Sequence, residues 1–237
     1  MQDDIGKQVM RFRILGAFFG MLLLAGCAGQ SPTGESTVRV ESVKKSGFLE
    51  DYSILKKGGE GETSLVYWNR AANFAAYDKV VIDPVTVWLG PNSSLKNVSP
   101  KVRQQLANEF HAAIFKELGK DFVIVKELAP GTMRVRVALT DAKESNPTLD
   151  AFSTYIPQAR MLQTVATMGS DTAGFVGEAS AEGEVRDALT GTLLAAGVDR
   201  RAGTKALGGG TFDSWDDVRQ AFEAWSKQFS ANLRKKR

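Results

Sequence analysis

Hydrophobic residues that recur at steps of three and four predict two long helices. The first is marked by Val102, Leu106, Phe110, Ile114 and Leu118. Ser99 is its predicted N-cap, Pro100 its first residue and Gly119 its end. The second is predicted over residues 214–234 and is marked by Trp215, Val218, Phe222, Trp225, Phe229 and Leu233.

Alternating and β-branched runs predict strands elsewhere in the chain. Residues 79–89 are rich in Val, Ile and Trp, and Pro84 marks an edge strand or a bulge. Residues 133–139 alternate apolar with polar, which is typical of a strand with one wet face. Residues 177–186 and 192–201 predict the two arms of a β-hairpin.

The first arm of this hairpin separates its side chains by character. Its polar face carries Glu178, Ser180, Glu182, Glu184 and Arg186. Its other face carries Ala179, Ala181, Gly183 and Val185. Small residues on a buried face predict the close packing of a helix or another backbone.

Together these elements predict an α+β fold. We expect a single domain over residues 47–237, in which an antiparallel or mixed β-sheet is covered on one face by two long amphipathic helices. Residues 28–46 are rich in Gly, Ser, Pro, Thr and charge, which is typical of a flexible tether after Cys27. The alternation of Val38 and Val40 leaves open that an edge strand begins here instead.

Residues 1–26 have the pattern of a secretory signal peptide. Arg11 and Arg13 precede an apolar run over residues 14–24, and two small residues follow it. The run is shorter than the roughly 20 apolar residues that a membrane span needs. The four letters LAGC, which end at Cys27, resemble the lipobox of bacterial lipoproteins.

The lipobox resemblance implies that Cys27 receives a diacylglycerol, that the signal is cleaved before it, and that the new amine is acylated. Several acyl chains hold a protein stably on a membrane. Ala28 at the next position, where Asp would favour the inner membrane, implies sorting to the outer membrane of a two-membrane bacterium. A buried structural cysteine is the alternative. Asp3 and Asp4 are unusual in a signal peptide, so Met10 is a possible true start.

Composition excludes several classes of function. The chain has 30 basic and 27 acidic residues, a net charge of +3 that does not indicate nucleic acid as a partner. One Cys and one His exclude a disulfide framework and Cys/His zinc clusters. His111 lies off the apolar stripe of its helix and is predicted at the surface. The glycines at 58, 59, 61 and 208–210 match no phosphate-binding motif, so we predict no cofactor and no metal.

The paired carboxylates of Glu182 and Glu184 are the strongest candidates for catalysis. Residues two apart on a strand are about 7 Å apart, between the separations of retaining and inverting glycosidases. Arg200 and Arg201 on the neighbouring arm offer cross-strand cations, which favours a solvated ion-pair ladder. We therefore predict no catalytic residue.

Residues 153–174 carry Met and other apolar residues among small polar ones. Such a stretch is typical of a short helix that packs on the core, and a mobile interaction flap is the alternative.

Four runs of the chain carry a family resemblance: residues 46–58, 77–89, 176–205 and 214–229. They resemble the bacterial lipoprotein family with domain of unknown function 3313, and they occur in the family's order. The resemblance implies a lipid-anchored envelope protein and brings no established activity or catalytic residue.

We therefore expect a non-catalytic, lipid-anchored cell-envelope protein whose domain faces the periplasm. Its expected partners are the membrane, through acylated Cys27, and an envelope protein that it serves as an accessory or assembly factor. The alternative is a binding module for a small or lipidic ligand, and an enzyme that uses only carboxylates is a third possibility.

The lipid anchor can be tested with one substitution. Cys27→Ser removes the thiol that would form the thioether, so we expect loss of acyl labelling and accumulation of an uncleaved precursor. Metabolic labelling with a fatty-acid analogue and immunoblotting measure both. Normal processing of this variant would contradict the lipoprotein assignment.

Overall fold

The computed structural model describes residues 37–40, 42–145, 177–203 and 213–237, all of which belong to one compact unit, residues 34–237. The described residues form nine strands and two α-helices. The strands are β1 (Thr37–Arg39), β2 (Lys56–Lys57), β3 (Leu65–Trp68), β4 (Lys79–Ile82), β5 (Thr86–Val87), β6 (Val123–Ile124), β7 (Thr132–Lys143), β8 (Glu178–Asp187) and β9 (Leu193–Gly203). The helices are α1 (Pro100–Leu118) and α2 (Asp216–Lys236). Among the described residues, no helix has the length and apolar character that crossing a membrane requires.

One mixed sheet contains all nine strands. Seven of them follow the order β2-β3-β9-β8-β7-β4-β6, and outside this order β1 pairs with β9 and β5 pairs with β7. Its centre is antiparallel, because β8 pairs with β7 on one side and with β9 on the other. The strands β4 and β5 both run parallel to β7 and share one of its edges. In the same way β3 and β1 share the free edge of β9, both antiparallel to it.

The predicted hairpin is confirmed as β8 and β9. The Asp187 carboxylate closes its turn by accepting hydrogen bonds from the backbone N–H groups of Leu189 and Thr190, at 3.0 and 2.7 Å. Gly191 has a φ of 72°, a left-handed conformation that favours glycine. In the resulting register, Gly183 lies directly opposite Gly197.

Both predicted helices are present. The Ser99 hydroxyl caps α1 by accepting a hydrogen bond from the Val102 N–H at 3.3 Å, and the helix ends before Gly119, as predicted. Helix α2 is displaced by two residues from the predicted range. The rings of Phe110 on α1 and Phe222 on α2 stack at 4.5 Å with an interplanar angle of 8°, in the centre of the main apolar cluster.

Two ambiguous segments are settled by strand pairing. The predicted strand 79–89 is interrupted at Pro84, on either side of which β4 and β5 pair with β7. Near the N-terminus, Thr37–Arg39 pairs with β9, so the strand alternative left open for Val38 and Val40 is the one that forms.

The predicted fold class is wrong. We expected an α+β domain with two long helices covering the sheet, whereas the described residues form one nine-stranded mixed sheet with only two α-helices, and α1 packs chiefly on α2 rather than on the sheet. Residues 43–55 contribute half-buried apolar side chains to a separate cluster with β3 and β9. The prediction underestimated the sheet because β2, β5 and β6 have two residues each, too few to produce a periodic pattern.

The aromatic stack between the helices supplies a test of the core. Phe222 is 1% exposed, so Phe222→Ala should lower the free energy of unfolding by about 3–5 kcal/mol. Phe115 lies on α1 but is 50% exposed, and Phe115→Ala should change stability by less than about 0.5 kcal/mol. Urea denaturation of both variants measures the difference, and equal effects would contradict the packing.

Candidate functional site

The glutamates of β8 are buried rather than solvated. Glu178, Glu182 and Glu184 are 8%, 1% and 5% exposed. A carboxylate removed from water needs hydrogen-bond donors or a cation, so each of these side chains must be satisfied within the protein. The predicted solvated ladder is therefore wrong, and the donors to each carboxylate decide what it does.

Glu182 holds the N-terminal segment, residues 42–55, against the sheet. One carboxylate oxygen accepts the backbone N–H of Ser46 at 2.7 Å, and the other accepts the Tyr52 hydroxyl at 2.5 Å. That hydroxyl also accepts the Gly47 N–H at 2.8 Å. Burial, followed by the hydrogen bond to Glu182, raises the pKa of Tyr52 above 10.0. The phenol therefore stays protonated and donates to the carboxylate.

Glu184 is committed to two arginines on the same face. Its Oε1 atom lies 2.5 Å from Nη1 of Arg136, and its Oε2 atom lies 2.8 Å from Nη2 of Arg186. Glu178 pairs with Arg200 at 2.5 Å. Of the two predicted cross-strand cations, Arg200 therefore pairs with a glutamate of β8, whereas Arg201 lies 3.6 Å from Asp199. The carboxylates of β8 thus hold the N-terminal segment and the side chains of Arg136, Arg186 and Arg200 in place.

An open cleft of about 670 Å³ adjoins these ion pairs, and we call it the arginine cleft. Its charged lining residues are Asp83, Arg134, Arg136, Arg186 and Asp187. Arg134 donates from Nε to both carboxylate oxygens of Asp83 at 3.0 Å. Even so, the side chains of Arg134 and Arg136 remain 47% and 41% exposed, so their guanidinium groups are accessible from the cleft.

The aromatic wall of the arginine cleft consists of Phe48, which lines the cleft, and Trp88, which packs against Phe48. The Phe48 ring lies 5.4 Å from the Arg136 guanidinium and meets the Trp88 ring edge to face at 5.7 Å. Trp88 donates from Nε1 to the Ser46 carbonyl at 3.0 Å, which fixes its orientation. Trp88 is nevertheless 37% exposed. The surface therefore combines accessible aromatic and guanidinium groups.

The hairpin turn forms the far end of the arginine cleft. The Tyr77 hydroxyl donates to Asp187 at 2.9 Å. Burial and this hydrogen bond raise the pKa of Tyr77 to about 12. The pKa of Asp187 is held below 3.8, chiefly by the backbone N–H of Thr190. Both groups keep these protonation states at neutral pH, so the turn holds its shape there.

A second concavity lies on the opposite face of the sheet, beneath α2. This α2 pocket has a volume of about 110 Å³ and is almost wholly apolar. Its aromatic lining comes from Trp68, Phe110, Trp225 and Phe229, and its floor includes Gly183 and Gly197.

Two polar side chains, those of Asp199 and Gln228, also belong to the lining of the α2 pocket. Asp199 is 2% exposed, and its carboxylate accepts the Ser64 hydroxyl at 2.5 Å and the Trp225 indole N–H at 2.8 Å. The Oε1 atom of Gln228 accepts a hydrogen bond from Nη2 of Arg201 at 2.6 Å. Its Nε2 atom is buried and has no hydrogen-bond partner among the described residues.

Some of the sequence predictions concern residues outside the described ranges. These are residues 1–26, Cys27, residues 153–174 and the glycines at 208–210. His111 is half-buried, with its ring 6.5 Å from that of Phe115. In the described ranges, no group of three His, Cys, Asp or Glu side chains is placed to hold a metal ion.

The α2 pocket was missed at the sequence level because its floor depends on a register shift. Direct pairing of the predicted arms 177–186 and 192–201 would set Gly183 opposite Ala195, whereas the irregularity between Val185 and Arg186 sets it opposite Gly197. Gln228 and Asp199 gave no signal either, because their positions depend on how α2 lies on β9.

Comparisons with known proteins identify a family but no activity. The sequence model of the family "Protein of unknown function (DUF3313)" matches residues 44–229. No curated protein matches the chain. Among solved structures, the PelC dodecamer from Paraburkholderia phytofirmans has 10% identity and a TM-score of 0.39, covering 70% of this chain and 94% of that chain. A DUF4136 family protein from Bacteroides thetaiotaomicron has 9% identity and a TM-score of 0.30, covering 71% and 94%.

The Glu182 contact can be tested by removing one hydroxyl. Tyr52→Phe deletes the donor to Glu182 and the acceptor for Gly47, so hydrogen exchange over residues 46–52 should speed up about fivefold to tenfold, equivalent to roughly 1 kcal/mol. Tyr67→Phe is the control, because Tyr67 packs in the same apolar cluster without joining this network. Unchanged exchange in Tyr52→Phe would contradict the assignment.

Proposed function

The chain belongs to the DUF3313 family of proteins of unknown function, and we propose that it is a non-catalytic, lipid-anchored cell-envelope protein that binds another envelope protein. In this proposal Cys27 carries the lipid and Ala28 directs the protein to the outer membrane, with the domain facing the periplasm. Strand β1 begins ten residues after Cys27, so only a short stretch of sequence separates the proposed anchor from the first strand.

The arginine cleft and its aromatic wall are the observation that carries this proposal. Protein interfaces are enriched in aromatic residues and Arg, and the residues that dominate binding energy are most often Trp, Tyr and Arg. The Phe48 ring contacts both Trp88 and Arg136, so accessible aromatic and guanidinium groups lie together on one surface. The hydrogen bond from Trp88 and the ion pair of Arg136 hold them in fixed orientations, which lowers the entropic cost of binding.

The chemistry of this surface also describes the partner. Exposed guanidinium groups favour carboxylates or backbone carbonyls, and the exposed part of the Trp88 ring favours an apolar side chain. We therefore propose that the partner contributes an apolar residue next to hydrogen-bond acceptors. An accessory or assembly role follows from a contact of this kind on a membrane-held domain.

The buried carboxylates support a non-catalytic role. A general acid or nucleophile must reach its substrate, whereas Glu182 is 1% exposed and both of its oxygens accept hydrogen bonds from residues 46–52. Glu184 is similarly engaged with Arg136 and Arg186. Their role in the proposal is to shape the binding surface.

Site-specific photo-crosslinking in cells tests the contact. A photoreactive residue at Thr86, which is exposed and lines the arginine cleft, should form an adduct of discrete mass in the full chain, and the same residue at Phe115, 50% exposed on α1, should not. Arg136→Ala should reduce the Thr86 adduct at least fivefold, because a contact to the partner is lost. Absence of the Thr86 adduct, or equal adducts at both positions, would overturn the proposal.

The catalytic alternative has a separate test. A substrate that the full chain turns over, with turnover lost in Glu182→Gln, would contradict the proposal. Tyr52→Phe is the matched control, since it disturbs the same contact while keeping the carboxylate. We expect no turnover that depends on Glu182.

A further inference from the structure

One end of the sheet carries exposed aliphatic side chains on neighbouring strands. Val123 begins β6 and pairs with Lys79, the first residue of β4, which pairs in turn with Thr132, the first residue of β7. The Ala188 N–H of the hairpin turn donates to the Thr132 carbonyl at 3.0 Å. Val123 and Leu189, the residue after Ala188, therefore lie three strand spacings apart, or roughly 14 Å. Their side chains face water, at 60% and 57% exposure.

A third aliphatic side chain lies in the connection between β6 and β7. Leu128 is 48% exposed and precedes a turn that the Thr132 N–H closes on the Ala129 carbonyl at 3.2 Å. We call this end of the sheet, with Val123, Leu128 and Leu189, the loop end. None of these three residues lines the arginine cleft or the α2 pocket, so their exposed side chains belong to neither concavity.

The last turn of α2 brings basic side chains to the loop end. The Arg237 guanidinium lies 5.1 Å from the ring of Phe122, the residue before β6, and donates to the Asp121 carbonyl at 3.2 Å. The Lys236 ammonium lies 5.2 Å from the ring of Trp68 in β3. The basic run therefore crosses the end of the sheet from β6 to β3, and all four of its residues are exposed: Arg234, Lys235, Lys236 and Arg237.

Carboxylates at the loop end offset only part of this positive charge. Four are present, and each is engaged within the protein: Asp78 with Lys79, Glu117 with Lys120, Asp121 with Arg234, and Asp187 with the N–H groups of its own turn. Lys235, Lys236 and Arg237 make no ion pair among the described residues. The loop end therefore keeps an excess of accessible positive charge.

The charge on α2 is also separated along its length. Asp216 and Asp217 lie in its first turn, whereas the basic run lies in its last turn, roughly 30 Å away at 1.5 Å per residue. Such a separation turns the loop end towards an anionic surface. Because the basic and aliphatic groups are spread over several strands rather than gathered in one pocket, the complementary partner is a broad anionic surface with an apolar layer beneath it. This combination describes a lipid bilayer.

We propose that the loop end lies on an anionic lipid surface, with Val123, Leu128 and Leu189 among the headgroups and residues 234–237 against the lipid phosphates. A cluster of four Lys and Arg residues on an amphipathic helix is typical of contacts with anionic headgroups. The contact uses neither an acyl group on Cys27 nor a guanidinium of the arginine cleft. It can therefore fail without the proposed function, and the proposed function can fail without it.

An environment-sensitive dye at Leu189 provides the readout. Cys27 is the only cysteine of the chain, so Leu189→Cys in a Cys27→Ser background leaves one site for the dye NBD, whose emission rises in apolar surroundings. The full chain is reconstituted in vesicles of phosphatidylcholine alone, or of equal parts phosphatidylcholine and phosphatidylglycerol. We expect emission at least threefold higher in the anionic vesicles.

A second labelling site controls for general proximity to the bilayer. Asn92 is exposed next to Ser93, whose hydroxyl donates to the Thr140 carbonyl at 2.7 Å, at the opposite end of β7 from Thr132. The dye at Asn92→Cys should have the same emission in both kinds of vesicle. An equal rise at both sites would overturn the proposal.

Two pairs of substitutions test the basic run in the Leu189-labelled chain. Lys235→Gln with Lys236→Gln should at least halve the rise in emission, because attraction to the headgroups is lost. Lys56→Gln with Lys101→Gln removes the same charge at exposed positions outside the loop end and should leave the rise unchanged. An equal effect of the two pairs would contradict the proposal.

The chain without these pairs of substitutions supplies the remaining outcomes. Equal emission of the Leu189 dye in neutral and anionic vesicles would overturn the lipid contact. The same rise in neutral vesicles with soluble polyphosphate would assign the surface to a soluble polyanion, and this result would overturn it as well.

Discussion

The fold depends on the burial of three carboxylates along one face of β8, the central strand of the sheet. Because water no longer solvates Glu178, Glu182 and Glu184, each must be met by donors from elsewhere in the chain. The N-terminal segment meets Glu182, and arginines from three strands meet the other two. Removing one partner from such a buried group is typically far more costly than breaking a surface ion pair. The need to satisfy these carboxylates thus holds the N-terminal segment in place and sets the geometry of the arginine cleft.

Strand alternation explains why two unlike concavities occur on opposite faces of the same sheet. Glu182 and Glu184 point to the polar face, while Gly183 between them forms part of the apolar floor beneath α2. A change at any of these consecutive positions therefore acts on one face directly and on the other only through the backbone. The polar face is suited to contacts with a protein surface, and the helical face is suited to an apolar group.

Sequence periodicity predicted the elements that are long enough to show it. Helix α1, helix α2 and the β8–β9 hairpin all repeat their pattern over ten or more residues, and their positions are close to those predicted. The two-residue strands show no pattern, because their pairing depends on neighbours that are distant in sequence. The same reason hid the role of Glu182. Its alternation was visible, but its burial depends on Tyr52, which is 130 residues away in the chain. A polar face on a strand indicates solvent only when no other segment covers it.

The alternation of charged and small residues along β8 also determines the register in which β8 can pair with its neighbours. Adjacent residues of a strand face opposite ways, so a slip of one residue relative to β7 and β9 would exchange the two faces. Three carboxylates would then face the main apolar cluster, and the small residues would face the arginines. Such an arrangement would bury charges without donors, at a cost on the order of several kcal/mol per carboxylate, a sum comparable with the whole stability of a typical domain. The three glutamates therefore favour the observed register of β8 over the registers that are shifted by one residue.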